Sequence, residues 1–115
     1  MSSTLTRDLG VRRAHEADAS GLRLLPEAVA RPTEASDVVE ILREAAATIT
    51  RVTVAGAQSS TTAASITDTG VLLSMRGYDR ILDIDAVNRT ALVQSGAARV
   101  IRDQVLADAQ VLYAA

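Results

Sequence analysis

The stretch VTVAGAQSSTTAASITDTG, residues 52–70, decides how this chain folds. It begins with a short β-branched run that stops at Gly56, continues mostly in Ser, Thr, Ala and Gly, and is followed by the apolar run 71–73. The pattern predicts a strand, a small-residue loop and a second strand. Small side chains allow a ligand to reach backbone N–H groups, which can bind a phosphate without a charged side chain. The same composition also fits a plain flexible surface loop.

Length and composition restrict the class of protein. The 115 residues suffice for one domain, and they include no Cys, Phe or Trp and carry a net charge of -2. The lack of Cys excludes disulfides, thiolate metal sites and a Cys nucleophile. Nucleic acid is not an expected partner, because stacking aromatics are scarce and the basic residues are balanced by acidic ones. No apolar run approaches the ~18 residues of a membrane span, and the first residues lack a secretion signal core, so we expect a cytoplasmic protein.

Residues 1–21 are polar and irregular, with basic and acidic side chains mixed. They are predicted to form an N-terminal arm, either loose or folded as a short helix. His15 is the one histidine of the chain. It is predicted to be exposed to solvent, because no neighbouring residue suggests a base or a metal ligand.

A strand, a helix and a second strand follow the arm. Residues 27–30 predict a strand that Pro32 ends, since proline donates no hydrogen bond to a sheet. Thr33 is the predicted N-cap of a helix over residues 34–47. The strand at 52–55 completes a βαβ unit with parallel strands, and ligands bind beyond the carboxyl ends of such strands. The apolar face of the helix comprises Val38, Ile41, Leu42, Ala45, Ala46 and Ile49.

The second half of the chain predicts a buried strand, a hairpin and a helix. The predicted elements are a strand at 70–75, a turn at 76–78, hairpin strands at 81–85 and 90–94, a helix at 98–109 and an extended segment at 110–115. Asn88 is the predicted hairpin residue with positive φ. Asp79 and Arg80 are expected to form a surface ion pair that contributes little stability.

The segments AVARPTEASDVVEILREA, VTVAG, GVLLSMRGYDRILDID and NRTALVQSGA, in this order, resemble a known family. They are similar to the first half of the FAD-binding domain of the vanillyl-alcohol oxidase and p-cresol methylhydroxylase (PCMH) type. The resemblance covers roughly residues 25–110, and the order and spacing are more specific than any single motif. It implies an α+β fold, in which a βαβ unit with a small parallel sheet precedes a short β-hairpin and a helix. Residues 22–115 are then a partial domain, truncated at its C-terminus.

The resemblance implies an FAD site in the small-residue loop. In the family, a glycine-rich run followed by His-Ser wraps the FAD pyrophosphate with backbone amides, and the histidine can bond covalently to the flavin. The corresponding residues of this chain are Gly56, Ala57, Gln58, Ser59, Ser60 and Thr61. Ser59 stands at the histidine position, so FAD is expected to bind non-covalently. Ala57 and Gln58 replace glycines, which is tolerated without strain only where φ stays negative.

The implied function is that of the FAD-binding portion of a flavin-dependent oxidoreductase. Its family includes berberine-bridge-like oxidases, cytokinin dehydrogenases, sugar-lactone oxidases and hydroxy-acid dehydrogenases. The substrate would be an alcohol, a hydroxy acid or a sugar-like molecule, oxidised by hydride transfer to FAD. No catalytic residue is assigned, and the chain alone is not expected to turn over substrate, because the family's substrate domain lies outside the 115 residues.

The alternative is a non-catalytic α/β remnant or interaction module that no longer binds flavin. The replaced glycines and the abrupt C-terminus leave this alternative open. A domain cut before its last strands would have an unpaired sheet edge and an exposed apolar face. Self-association through the unpaired edge is therefore expected if the domain is truncated.

Overall fold

The structure, a computed structural model, describes residues 5–97. Within this range the chain forms an α+β fold of six strands, two α-helices and one 3₁₀ turn, which confirms the predicted fold class. The elements are β1 (Leu5–Thr6), α1 (Leu9–Arg13), β2 (Ala28–Ala30), α2 (Ala35–Ala47), β3 (Val52–Ala55), β4 (Val71–Ser74), the 3₁₀ turn (Met75–Gly77), β5 (Ile81–Asp85) and β6 (Thr90–Val93). The predicted helix at 98–109 and the extended segment at 110–115 lie outside the described residues.

The first four strands form one sheet in the order β1-β2-β4-β3. Both β2 and β3 pair in parallel with β4, with Ala28 and Val52 each opposite Val71. The predicted parallel direction of the two strands that flank α2 is confirmed. These strands are not neighbours, however, because β4 lies between them. All four residues of β4 are buried, as expected for a central strand covered on both faces.

Two aliphatic clusters cover the two faces of this sheet. On one face, Ile41 of α2 packs with Ala28, Ala30, Val71 and Leu73. On the other face, Val29, Ala55 and Leu72 form a second cluster, and Val11 of α1 packs against it. Leu72 is fully buried, and burial of a leucine side chain contributes about 1.5–3 kcal/mol. The two clusters hold β3 and β4 between α2 on one face and α1 on the other.

Helix α2 is capped by Asp37. Its Oδ2 atom accepts hydrogen bonds from the backbone N–H groups of Thr33 and Glu34, each at 3.1 Å. Glu34 is the N-cap, so the prediction of Thr33 is wrong: the Thr33 hydroxyl also donates to Asp37 instead of capping the helix. The spacing of Ile49 predicts a place on the apolar face of the helix, but Ile49 is 95% exposed. The helix ends at Ala47, before the chain reaches Ile49.

The N-terminal segment is part of the sheet. Strand β1 pairs antiparallel with β2, and α1 supplies the short helix that the sequence allowed. The prediction that His15 is exposed is wrong, since only 7% of its surface is accessible. Its Nδ1 atom lies 2.8 Å from the carbonyl oxygen of Val11. This contact within one helical turn holds the imidazole ring against α1.

Strands β5 and β6 form the predicted hairpin as a separate two-stranded sheet. Ile81 pairs with Val93 and Ile84 with Ala91, whereas Leu82 and Leu92 are more than half exposed. The register shifts between Ile81 and Asp83, so Leu82 has no directly paired residue on β6. Part of the apolar surface of the hairpin is therefore open to solvent.

The turn of the hairpin differs from the prediction in one residue. Arg89, not Asn88, has positive φ, at 56°. The Asp85 carboxylate accepts hydrogen bonds from the backbone N–H of Asn88 and from its side-chain amide, at 3.1 and 2.7 Å. These contacts hold Asn88 in the turn, and the left-handed position falls on the next residue.

Arg80 connects the hairpin to helix α2. Its Nη2 atom is 3.0 Å from both carboxylate oxygens of Glu34, so the expected Asp79–Arg80 pair is replaced by a long-range ion pair. Both side chains are more than half exposed, which keeps the contribution of this pair to stability small. The backbone N–H of Arg80 also donates a hydrogen bond to Oε1 of the buried Gln94 side chain, at 2.9 Å.

Candidate functional site

The small-residue loop leaves the carboxyl end of β3 and returns to the chain at Gly70. Ala55, the last residue of β3, lies opposite Ser74, the last residue of β4. The start of the loop therefore lies beside the 3₁₀ turn that follows β4. This is the edge at which ligands bind in open α/β sheets.

The first part of the loop presents backbone to solvent. Gly56, Ala57, Ser59 and Thr61 are exposed. Among the hydrogen bonds between described residues, none is donated by the backbone N–H groups of residues 57–61. A run of free N–H groups with small side chains is the arrangement by which a loop binds an anion.

Gln58 is the exception, because its side chain is directed into the protein. It is 8% exposed, and its Nε2 atom donates to the carbonyl oxygens of His15 and Ser65, at 2.9 and 3.1 Å. Its φ is 55°, so the condition of negative φ is not met at this position. A non-glycine residue in this region costs roughly 1–2 kcal/mol, which the two buried hydrogen bonds offset. At Gln58 the loop therefore has a backbone conformation that favours glycine, while the buried glutamine side chain anchors the loop to the protein interior.

The second part of the loop is held by its own side chains. The Ser60 hydroxyl accepts hydrogen bonds from the N–H groups of Thr62 and Ala64, both at 3.2 Å. The Ser65 hydroxyl donates to Asp18 at 3.2 Å. Hydrogen bonds from Ser20, and further ones from Ser65, hold the pKa of Asp18 below its usual range. Asp18 therefore stays ionised at neutral pH and ties the loop to the N-terminal segment.

Arg76 holds the first part of the loop from the 3₁₀ turn. Its Nε atom donates to the carbonyl oxygen of Gly56 and its Nη2 atom to that of Ala57, both at 3.1 Å. Sequence reasoning placed Arg76 only in a turn. The signal that could have identified it is a cation that closely follows β4, at the sheet edge where a loop without basic residues begins.

Gly56 lies in open space. A Cβ atom added there would meet no atom within 4 Å, and its φ is not in the left-handed region. At Gly70, by contrast, φ is 66° and an added Cβ would overlap the carbonyl oxygen of Arg51. Folding therefore requires glycine at Gly70 but not at Gly56, where the missing side chain leaves the loop backbone accessible.

Ser74 adds an unused polar group at the same end of the sheet. Its side chain is fully buried, and its Oγ atom has no hydrogen-bond partner among the described residues. Buried hydroxyls usually have a partner. The end of β4 thus retains hydrogen-bonding capacity next to the loop.

Two cavities lined by described residues lie toward the opposite end of the sheet. One of about 240 Å³ is lined by Glu27, Arg51 and Gly70, which precede β2, β3 and β4, and another of about 60 Å³ lies between α2 and β1. Ligands of parallel sheets bind beyond the carboxyl ends of the strands. We therefore assign the candidate site to the loop and not to these cavities.

Within residues 5–97, no group of three or more His, Cys, Asp or Glu side chains is placed to hold a metal ion. No helix in that part of the chain has the length and apolar character to cross a membrane.

Comparison with known proteins identifies relatives. A family model described as FAD binding domain matches residues 26–113. L-gulono-1,4-lactone dehydrogenase of Mycobacterium tuberculosis H37Rv is 35% identical over 72 residues, which are 63% of this chain and 17% of that protein. An uncharacterized FAD-linked oxidoreductase of the same strain is 29% identical over 101 residues, which are 87% of this chain and 22% of that protein. The chain thus spans about a fifth of the length of these relatives.

Solved structures show the same fold. Alkyldihydroxyacetonephosphate synthase superposes with a TM-score of 0.73 at 19% identity, covering 90% of this chain and 24% of that protein. p-Cresol methylhydroxylase superposes with a TM-score of 0.72 at 12% identity, covering 94% of this chain and 22% of that protein.

Proposed function

Because the chain belongs to the FAD binding domain family, with FAD as its cofactor, we propose that residues 56–61 bind the diphosphate of FAD. The observation that carries this proposal is the run of backbone N–H groups at residues 57–61, which have no acceptor among the described residues. An anion at this place would accept several hydrogen bonds without a charged side chain of the loop. Gly56 supports the assignment, because its open surroundings give the diphosphate room to approach.

The residues present fit a non-covalent FAD site. Ser59 occupies the position at which the resemblance places a flavin-linked histidine, and the chain contains no Cys. His15 is buried against α1. The loop offers no histidine or cysteine for a bond to the flavin, so this part of the site would hold FAD by hydrogen bonds and packing.

The activity proposed for the flavin-dependent oxidoreductase that contains this chain is oxidation of an alcohol, a hydroxy acid or a sugar-like substrate. When bound, FAD supplies the redox chemistry by accepting a hydride at its flavin N5. The residues of this chain bind and orient the diphosphate. A relative named for a sugar lactone supports the sugar-like class. Since the chain spans only 17–22% of the curated relatives, we propose that it does not turn over substrate by itself.

A titration with FAD tests the proposal, and two glycine variants serve as a matched pair. Gly56→Ala should melt like the wild type, because a methyl group there meets open space, but should bind FAD about tenfold more weakly. Gly21→Ala should lower the melting temperature, because φ at Gly21 is 85°, and should leave the affinity of the folded protein unchanged. Flavin fluorescence and a thermal melt give both quantities.

A wild-type chain that binds no FAD would reject the proposed function. The alternative, an α/β module without cofactor, would then be favoured. One observation supports that alternative: the inward side chain of Gln58 stabilises the loop without any ligand.

Self-association and a cytoplasmic location remain proposals in either case. Strand β3 is an edge strand among the described residues, and Val54 on it is 58% exposed. An unpaired edge with an exposed apolar side chain favours pairing with another chain. Size-exclusion chromatography over a range of concentrations tests this, and a monomer at all concentrations contradicts it.

A further inference from the structure

We infer that Arg76 is a positioning residue, which orients the N–H groups of the loop toward the diphosphate and does not bind the diphosphate itself. This inference rests on the proposed function. Its basis is the pair of hydrogen bonds from one guanidinium group to two consecutive carbonyl oxygens, those of Gly56 and Ala57.

The geometry of the peptide unit converts these contacts into an orientation. In a trans peptide the C=O of one residue and the N–H of the next point in opposite directions. Since Arg76 holds the carbonyl oxygens of Gly56 and Ala57, the N–H groups of Ala57 and Gln58 point away from the guanidinium group. An anion bound by these two N–H groups would therefore lie on the far side of the backbone from Arg76.

Arg76 is itself placed by rigid surroundings. The 3₁₀ turn that carries it is closed by a hydrogen bond from the Tyr78 N–H to the Met75 carbonyl oxygen at 3.0 Å. Gly96 packs so closely on this turn that an added Cβ would overlap the same Met75 oxygen. A group mounted on a fixed backbone can hold its partner in one geometry.

The guanidinium group of Arg76 has no competing acidic partner in the described part of the chain. The ion pairs there join Arg23 to Glu16 and Arg80 to Glu34. Gln58 anchors the same segment from within the protein, through its contacts with His15 and Ser65. Arg76 thus fixes the first residues of the loop through their carbonyl oxygens. The side chain of Gln58 fixes the same segment from inside the protein.

Replacement of Arg76 by lysine distinguishes a role in orienting the loop backbone from a role of the positive charge. Lysine keeps the positive charge but cannot donate two parallel hydrogen bonds from a planar fork. If Arg76 acts by orientation, Arg76→Lys and Arg76→Met should both weaken FAD binding about tenfold, the loss expected for hydrogen bonds to a charged group. Arg43→Met, on the exposed face of α2, is the matched control for loss of a charge and should leave the affinity unchanged.

Two further readouts do not depend on the variants binding FAD. In the ligand-free wild type, the Nε–H of Arg76 should exchange with solvent more slowly than that of Arg43, as measured by ¹H–¹⁵N NMR. In both Arg76 variants, the resonances of residues 57 and 58 should shift, while the melting temperature stays close to that of the wild type.

The outcomes separate this inference from the proposed function. A wild-type chain that binds no FAD rejects the proposed function, and the inference fails with it. A wild type that binds FAD together with an Arg76→Lys variant of equal affinity overturns the inference alone. Equal exchange rates for the Nε–H groups of Arg76 and Arg43 overturn it as well.

Discussion

The loop after β3 and the turn between β5 and β6 both place a residue other than glycine in the left-handed region. Gln58 in the loop has φ of 55°, and Arg89 in the hairpin has φ of 56°. In the hairpin, the contacts that shape the turn come from Asp85, at most three residues from its partners. In the loop, Gln58 is held by His15, 43 residues away, and its neighbours by Arg76, 19 and 20 residues away.

The comparison shows two ways of holding a similar backbone conformation. The hairpin turn depends on local hydrogen bonds of Asp85, which are exposed and compete with solvent. The loop depends on contacts between distant segments; those of Arg76 are exposed, whereas those of Gln58 are buried and therefore cost more when a partner is lost. A loop fixed in this way has its N–H groups in place before a ligand arrives, and this reduces the ordering cost of binding.

The largest expected effect follows from removal of the Gln58 anchor. Gln58→Ala should lower the free energy of unfolding by about 2 kcal/mol, because two buried carbonyl oxygens lose their donor. Gln58→Gly should cost about 1 kcal/mol less than Gln58→Ala, because glycine adopts positive φ without strain. Chemical denaturation measures both variants. Ser59→Ala, at the exposed neighbour, is the control and should be neutral; a neutral Gln58→Ala would contradict the proposed anchoring.

A smaller effect is expected at the hairpin. Asp85→Ala should lower the melting temperature by a few degrees and leave hydrogen exchange in residues 57–61 unchanged, because its contacts are local.

The same contacts predict a pH dependence. Hydrogen bonds from the backbone and then the side chain of Asn88 hold the pKa of Asp85 below its usual range. Because the pKa of Asp85 is lower in the folded than in the unfolded protein, its carboxylate stabilises the fold at pH values above the unfolded-state pKa. This stabilisation is lost as the pH falls below about 4. Thermal melts should show this acid-dependent loss in the wild type and less of it in Asp85→Ala. Equal pH profiles would show that the turn contributes nothing.

The smallest effect concerns the strain at Arg89. Arg89→Gly should raise the free energy of unfolding by about 0.5 kcal/mol, because relief of the positive φ exceeds the added entropy of the unfolded chain. Arg89→Ala keeps the strain and should be neutral. If both variants have the same stability, the strain at this position is negligible.

Most elements could be predicted from the sequence because their signals are local. Helix α2 follows from apolar residues at helical spacing, and β4 from a continuous apolar run; both occur close to the predicted bounds. Three of the predictions that failed, at Thr33, His15 and Asn88, depend on which partner a side chain meets. Asp37, Val11 and Asp85 are those partners, and the residue types alone do not rank the competing partners.

The candidate site was predictable in part. The loop, its position after a parallel strand and its small side chains are visible in the sequence, and the resemblance supplied the role of residues 56–61. The inward side chain of Gln58 and the contacts of Arg76 were not predicted, because they join segments far apart in the chain. The assignment of residues 56–61 to the diphosphate stays a prediction.

The sequence by itself determined the order of strands and helices from β2 to β6, the aliphatic core and the presence of a small-residue loop, because hydrophobic spacing and turn residues act over a few positions. Only the tertiary structure decided that β4 lies between β2 and β3, that His15 is buried and that Arg76 and Gln58 fix the loop. The physical reason is that hydrogen bonds between distant segments form only after the apolar faces have packed and brought those segments together.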